Sequence, residues 1–175
     1  MTGRTKARTA ALYGLMCAQA LVLSAIEGML PAFIPVPGAR IGLSNIVTMF
    51  CVSSLGAPCA LTVTLFKAFF ALLTRGVSAA LLSLSGGLLS LAVMLICFKL
   101  LRGGIGLVGT GVLCALAHNA GQLAAACLIL GEPLFALAVP LILASVATGI
   151  LTGVLLKITI PVLNKQCSAV TGNTK

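Results

Sequence analysis

Three ionisable side chains lie within long apolar stretches of the sequence, and they are Glu27, Lys67 and His118. A charged side chain at the centre of a bilayer costs about 2.5–3.5 kcal/mol on insertion scales, so such residues usually serve a function. A carboxylate, an ammonium group and an imidazole could bind an ionic solute or transfer protons. A metal site is disfavoured, because the sequence has one histidine and two acidic residues.

The elements that position these residues are predicted to be membrane-spanning helices. The chain has 175 residues, of which 60% are hydrophobic and 7% are charged. A soluble domain carries charge on roughly a quarter of its residues, so the apolar surface of this chain must face lipid. Long Leu- and Ala-rich runs favour helices over the short alternating segments of a membrane barrel. We therefore expect an all-α, polytopic membrane protein.

About six membrane-spanning helices are predicted, in one domain covering residues 10–160. A basic tail, residues 1–9, precedes this domain, and a polar tail, residues 161–175, follows it. Proline, glycine and charged residues separate the spans. The second span is short and would need local thinning of the bilayer or support from its neighbours. The predicted spans cover about residues 10–30, 41–55, 58–73, 79–101, 105–130 and 134–160.

The positive charges are unequally divided between the two predicted sides of the membrane. With the N-terminus in the cytoplasm, the outer side holds only Arg40 and Arg75. The inner side then holds Arg4, Lys6, Arg8, Lys99, Arg102, Lys157, Lys165 and Lys175. The positive-inside rule therefore predicts a multi-pass protein of the cell membrane with both termini in the cytoplasm. These scattered charges form no clustered face, which argues against binding to nucleic acid.

Polar side chains are concentrated in the outer half of the predicted spans, given the rise of about 1.5 Å per helical residue. Residues 118, 119 and 122 have a spacing that lets them share one helix face. Together with the cations, they predict an outward-facing pocket for a small anionic solute. The candidate substrate-binding residues are Glu27, Arg40, Asn45, Lys67, Arg75, Ser85, His118, Asn119 and Gln122.

Structural roles for the same residues remain open. Glu27 and Lys67 could form an ion pair that neutralises both charges. Asn119 and Gln122 could supply hydrogen bonds between helices, each worth about 0.6 kcal/mol. Arg40 and Arg75 could anchor the protein to lipid headgroups.

Four segments carry a resemblance to a known family. The run from Pro37 to Thr48 reads PGARIGLSNIVT, and it is similar to the PG-x-[KR]-x-GL-[AS]-N-[IV]-VT signature of the Gx transporter family. This family is also named heptaprenyl diphosphate synthase component I. The other matching segments are residues 83–90, 117–122 and 148–153. Lys67 stands where the family pattern leads us to expect Arg. Lysine keeps the positive charge of arginine but lacks its bidentate hydrogen-bonding geometry.

The family in turn resembles the S components of energy-coupling factor transporters. This resemblance implies a six-helix binding protein that takes a vitamin-like solute from outside and is driven by a membrane coupling subunit with ATPases. Associations of the family suggest isoprenoid, quinone or flavin metabolism. The chain has no nucleotide-binding loop, so ATP-driven transport would require such partners. A proton-coupled mechanism through Glu27 or His118 would not require partner subunits.

The alternative hypothesis is a non-catalytic membrane component of a prenyl (heptaprenyl) diphosphate synthase. Prenyl transfer needs Mg²⁺ held by carboxylates beside a diphosphate. The two acidic residues are far apart in the sequence and no DDxxD run is present, so the chain is not expected to be the catalytic subunit. A membrane scaffold without a ligand is a third possibility. No cofactor is predicted.

Overall fold

The computed structural model describes residues 3–29, 42–99 and 105–171, and within these ranges the secondary structure is helical with no strand. This confirms the predicted all-α class. The long helices are α1 (Gly3–Met29), α3 (Ala57–Arg75), α4 (Val77–Lys99), α5 (Leu107–Leu130) and α6 (Ala138–Thr171). The short helix α2 (Asn45–Phe50) continues as a π-helical turn (Cys51–Leu55), and a 3-10 turn (Phe135–Leu137) precedes α6.

Five of the described helices are long and apolar enough to cross a membrane, which confirms a polytopic protein. The second predicted span differs from the other five. It contains six α-helical and five π-helical residues. At about 1.5 Å per residue it covers roughly half of a hydrocarbon core that is about 30 Å thick. The segment Asn45–Leu55 therefore enters the bundle without crossing the bilayer alone.

Glycines end two of the helical segments at the breaks that the sequence predicts. Gly56, at φ +91°, separates the π-helical turn from α3, and Gly76, at φ +90°, separates α3 from α4. A positive φ is readily adopted only by glycine, so both turns depend on this residue type. The last helix differs from the prediction, because α6 continues through Pro161 to Thr171 instead of ending near residue 160.

Helix α5 packs most extensively against α4 and α6, while α1 packs mainly against α3. Small residues allow the close approach of α5 and α6. A Cβ atom added to Gly153 would lie 2.5 Å from Cα of Val108, and one added to Gly149 would overlap the backbone of Val112. The Gly149–Gly153 pair therefore serves packing within the chain.

The distribution of side chains is that of a protein in lipid. Large apolar residues are exposed on the outside of the bundle, for example Leu128 and Leu73. The interior contains an apolar core around Met49, Phe50 and Met94, together with polar and charged side chains. Since hydrocarbon cannot hydrogen-bond, polar groups at this depth must find partners inside the protein.

Candidate functional site

Glu27, near the end of α1, holds the segment that leads into α2. Its side chain is buried, and Oε1 accepts a hydrogen bond from the backbone N–H of Gly42. Gly42 has φ +89°, a conformation that residues with a Cβ atom rarely adopt. A Cβ atom at this position would also lie 2.9 Å from Nδ2 of Asn45. The local fold therefore requires glycine here and directs its N–H at the carboxylate.

Lys67 extends from α3 into the same region. It is 5% exposed, and its Nζ donates a hydrogen bond of 2.8 Å to Oδ1 of Asn45. Glu27 also attracts the ammonium group electrostatically. Burial of an ammonium group is costly unless opposite charge and hydrogen-bond acceptors compensate for the lost water, and Glu27 and Asn45 provide both. Three elements, α1, α2 and α3, are thus connected by polar contacts.

Helix α5 contributes His118 and Gln122, which lie one turn apart. Nε2 of Gln122 is 3.0 Å from Nε2 of His118. The glutamine amide and the imidazole each have groups that can donate or accept, so the direction of this hydrogen bond depends on the tautomer of His118. Nδ1 is buried without a well-formed hydrogen bond. Gly86 of α4 packs against this ring, because a Cβ atom there would lie 3.0 Å from Cε1 of His118.

These side chains surround a small polar pocket. Its volume is about 280 Å³, although the interior admits only about one water molecule. Lys67 and Arg75 bring positive charge and Glu27 brings negative charge, so two cationic side chains face a single carboxylate in this lining. The polar pocket is lined by Ser24, Glu27, Gly42, Ser44, Lys67, Arg75, Ser83, His118 and Gln122.

A family model described as heptaprenyl diphosphate synthase component I matches residues 16–159. The chain belongs to this family. This family, called the component I family below, is named for one part of a synthase system. The apolar helices of the present chain make it a multi-pass membrane protein. No curated protein and no solved structure gives a significant match. The matched range contains every residue that lines the polar pocket.

In this component I protein, most of the predicted site residues meet at the polar pocket. Five of them line it, namely Glu27, Lys67, Arg75, His118 and Gln122. Asn45 lies beside the pocket and binds Lys67. Arg40 lies outside the described residues. The structure thus brings together residues that are up to 95 positions apart in the sequence.

Asn119 does not face the polar pocket, so the expectation that residues 118, 119 and 122 share one face needs correction. Its Nδ2 donates a hydrogen bond of 2.7 Å to Oγ of Ser145 on α6, whose hydroxyl in turn donates to the carbonyl of Leu141. Successive helical residues are rotated by about 100°, which directs residue 119 away from residues 118 and 122. In the component I protein Asn119 therefore connects α5 to α6.

Ser85 also lies apart from the polar pocket. Its hydroxyl donates to the carbonyl of Leu82 at 3.1 Å, and the residue lines a separate lipid-facing crevice with Leu88 and Leu128. Ser83 lines the polar pocket instead. Two positions along a helix correspond to a rotation of about 200°, so only one of these serines can face the pocket.

Four residues of the polar pocket were not predicted as site residues. Ser24 lies three positions before Glu27 on the same face of α1, so helical spacing could have identified it. Ser44 and Gly42 belong to the family signature, but Gly42 contributes through its backbone N–H, which residue type alone does not indicate. Ser83 is the fourth residue.

Proposed function

We propose that this member of the component I family is a membrane-embedded binding protein for a small anionic solute, which it binds in the polar pocket. The supporting observation is the presence of Lys67 and Arg75 with a single carboxylate, Glu27, in one pocket at membrane depth. Intramembrane charges are costly and mark solute pathways or binding sites by default. An anionic ligand would compensate the excess positive charge of the lining.

Binding requires the pocket to open. Small-molecule sites usually measure about 300–1,000 Å³, whereas this pocket admits about one water molecule. The contacts Glu27–Gly42 and Lys67–Asn45 close it by joining α1 and α3 to the segment around α2. Because α2 and its π-helical turn are short, we propose that this segment moves outward when the solute enters. The solute then replaces Asn45 as a partner of Lys67.

The polar pocket lies towards one end of the bundle, since Glu27 is close to the end of α1 and Arg75 is the last residue of α3. The distribution of Lys and Arg in the sequence supports a topology in which this end lies on the outside of the cell membrane. The proposed topology places residues 1–9 and 161–175 in the cytoplasm and residues 10–160 in the membrane domain. Such an arrangement is suited to capture of a solute from outside.

ATP-driven transport would require partner subunits, because the sequence contains no nucleotide-binding loop. We propose a membrane coupling subunit with ATPases, in line with the resemblance to S components. In this function the chain binds a solute related to isoprenoid, quinone or flavin chemistry and catalyses no reaction itself.

Mass spectrometry of the protein purified in a mild detergent tests this proposal. We expect a stoichiometric anionic compound with the wild type and with the control variant Lys157→Met, which removes an exposed lysine of α6. Lys67→Met should lose this compound, because the ligand loses its buried cation. Retention of the compound by Lys67→Met at the wild-type level would contradict the proposal.

The family name favours a second function, as a non-catalytic membrane component of a heptaprenyl diphosphate synthase. Among the described residues no group of three His, Cys, Asp or Glu side chains could hold a metal ion, which favours an accessory role. Prenyl-chain synthesis by a soluble catalytic subunit, measured with and without this protein in vesicles, tests it. Restored synthesis on mixing supports this function, and an unchanged rate contradicts it.

A further inference from the structure

A large apolar groove lies between α1, α2 and α6. Its volume is about 1000 Å³, including its open mouth. The groove exists because α1 and α6 touch at few places and the half-length α2 fills only part of the space between them. The groove is lined by Ala18, Gln19, Leu23, Ile46, Phe50 and Leu156, among others.

The groove and the polar pocket are neighbours along α1. Gln19 and Leu23 line the groove and Glu27 lines the pocket, and these three residues follow each other at intervals of four on one helix face. The same order holds in the segment at α2, where Ser44 lines the pocket and Val47, three positions later, lines the groove. One elongated molecule can therefore contact both regions.

The groove offers hydrocarbon almost everywhere and is accessible from the bilayer. Val22 is 57% exposed at its edge, and Ala18 and Gln19 are exposed as well. The hydroxyl of Thr159, which also lines the groove, donates a hydrogen bond of 2.6 Å to the carbonyl of Leu155 within its own helix. A saturated or isoprenoid chain would leave few polar groups in this groove without a partner.

We infer that the solute of the polar pocket is a single-chain amphiphilic anion, with its phosphate or carboxylate head in the polar pocket and its hydrocarbon chain in the groove. This inference rests on the proposed function and specifies its ligand. Charge complementarity supports the choice of occupant, because Lys67 and Arg75 attract an anionic head at one end of an otherwise apolar path. An apolar partner helix in the groove would not supply that charge.

Photocrosslinking in phosphatidylcholine nanodiscs tests the inference. The probe is a C15 prenyl monophosphate with a diazirine at the end of its chain, and the reference is the corresponding uncharged prenyl alcohol. Labelled residues are mapped by mass spectrometry. We expect the phosphate to label groove residues of α1 and α2 selectively, whereas the alcohol labels the lipid-facing surface of all helices. Equal patterns for the two probes overturn the inference.

Two matched variants test the path of the chain. Ala18→Phe narrows the groove, and Ala25→Phe introduces the same side chain at another exposed position of α1 that does not line the groove. We expect Ala18→Phe to reduce groove labelling about tenfold, equivalent to about 1.4 kcal/mol. Ala25→Phe should label as the wild type does. Equal labelling of both variants overturns the inference. If Ala18→Phe does not fold, the comparison of the two probes on the wild type decides the question.

Failure of the inference can be distinguished from failure of the proposed function. Binding of inorganic diphosphate is measured with the wild type, Lys67→Met and Arg75→Gln. If both variants lose diphosphate binding and the wild type shows no selective labelling of the groove, the anion site is supported and only the inference is overturned. Unchanged diphosphate binding in both variants contradicts the proposed function. Displacement of the probe by phosphatidylglycerol, or protection of the groove by a co-purified membrane protein, also overturns the single-chain ligand.

Discussion

Replacement of Gly42 by alanine should disrupt the polar pocket more than the same replacement at Gly76. Both glycines have a φ near +90°, which costs a residue with a Cβ atom about 1–3 kcal/mol. At Gly76 no atom lies within 4 Å of an added Cβ atom, so only this conformational cost applies. Gly76→Ala is therefore a matched control for backbone strain.

At Gly42 two further costs add to the conformational one. The added Cβ atom would lie 2.9 Å from Nδ2 of Asn45 and 3.4 Å from Cδ2 of His118, and overpacking of this kind costs about 1–3 kcal/mol. If the backbone moves to relieve the contact, the N–H of Gly42 loses Glu27. A hydrogen bond to a charged group is worth about 1.5–3 kcal/mol. We expect Gly42→Ala to be about 1–3 kcal/mol less stable than Gly76→Ala, because either the overpacking or the loss of the hydrogen bond adds to the conformational cost.

A thermal unfolding assay in detergent can measure this difference. The thiols of Cys17, Cys51 and Cys59 are buried, so a thiol-reactive dye reports the opening of the bundle. A change of 1 kcal/mol shifts Tm by about 2–4 °C in a chain of this size, so Tm of Gly42→Ala should lie at least about 2 °C below that of Gly76→Ala. Equal Tm values for the two variants would refute the assigned role of Gly42.

Three further predictions concern the packing and the orientation of polar residues. Gly149→Ala should lower Tm strongly, because the added Cβ atom would overlap the backbone of Val112. Gly14→Ala should leave Tm nearly unchanged, because nothing lies within 4 Å of an added Cβ atom there, and the dye assay compares the two variants. Asn119→Ala should cost about 0.6–1.7 kcal/mol of stability through the lost contact with Ser145 and leave ligand affinity unchanged, so a large loss of affinity would contradict its structural role. Ser83→Val should weaken binding of the co-purifying anion, and Ser85→Val should not; equal effects in titration calorimetry would contradict their placement on different faces.

The hydrophobic pattern was sufficient to predict the class and most helix boundaries. Runs of apolar residues between glycine and proline breaks predicted about six spans, and the structure has the long helices α1 and α3 to α6 near five of them. The short second span was visible as a short segment, but its π-helical continuation depends on packing against its neighbours. Pro161 indicated a helix end, yet α6 continues past it.

Depth along the helices predicted which polar residues lie at the same level, and residues at the same level of neighbouring helices can meet. Glu27, Lys67, Arg75, His118 and Gln122 could be grouped in this way before the helices were arranged in space. The sequence by itself therefore determined the membrane class, the approximate spans and the level of the polar pocket, since these follow from hydrophobicity and the fixed rise of a helix.

Only the tertiary structure decided which way each side chain faces. The rotation of α4 about its axis places Ser83 at the pocket and Ser85 at the lipid, and the position of α6 draws Asn119 towards Ser145. Nearly every helix is apolar around its circumference, so amphipathic patterning does not define these rotations. They are set by close contacts, such as those of Gly86 with His118, that arise when the helices pack together.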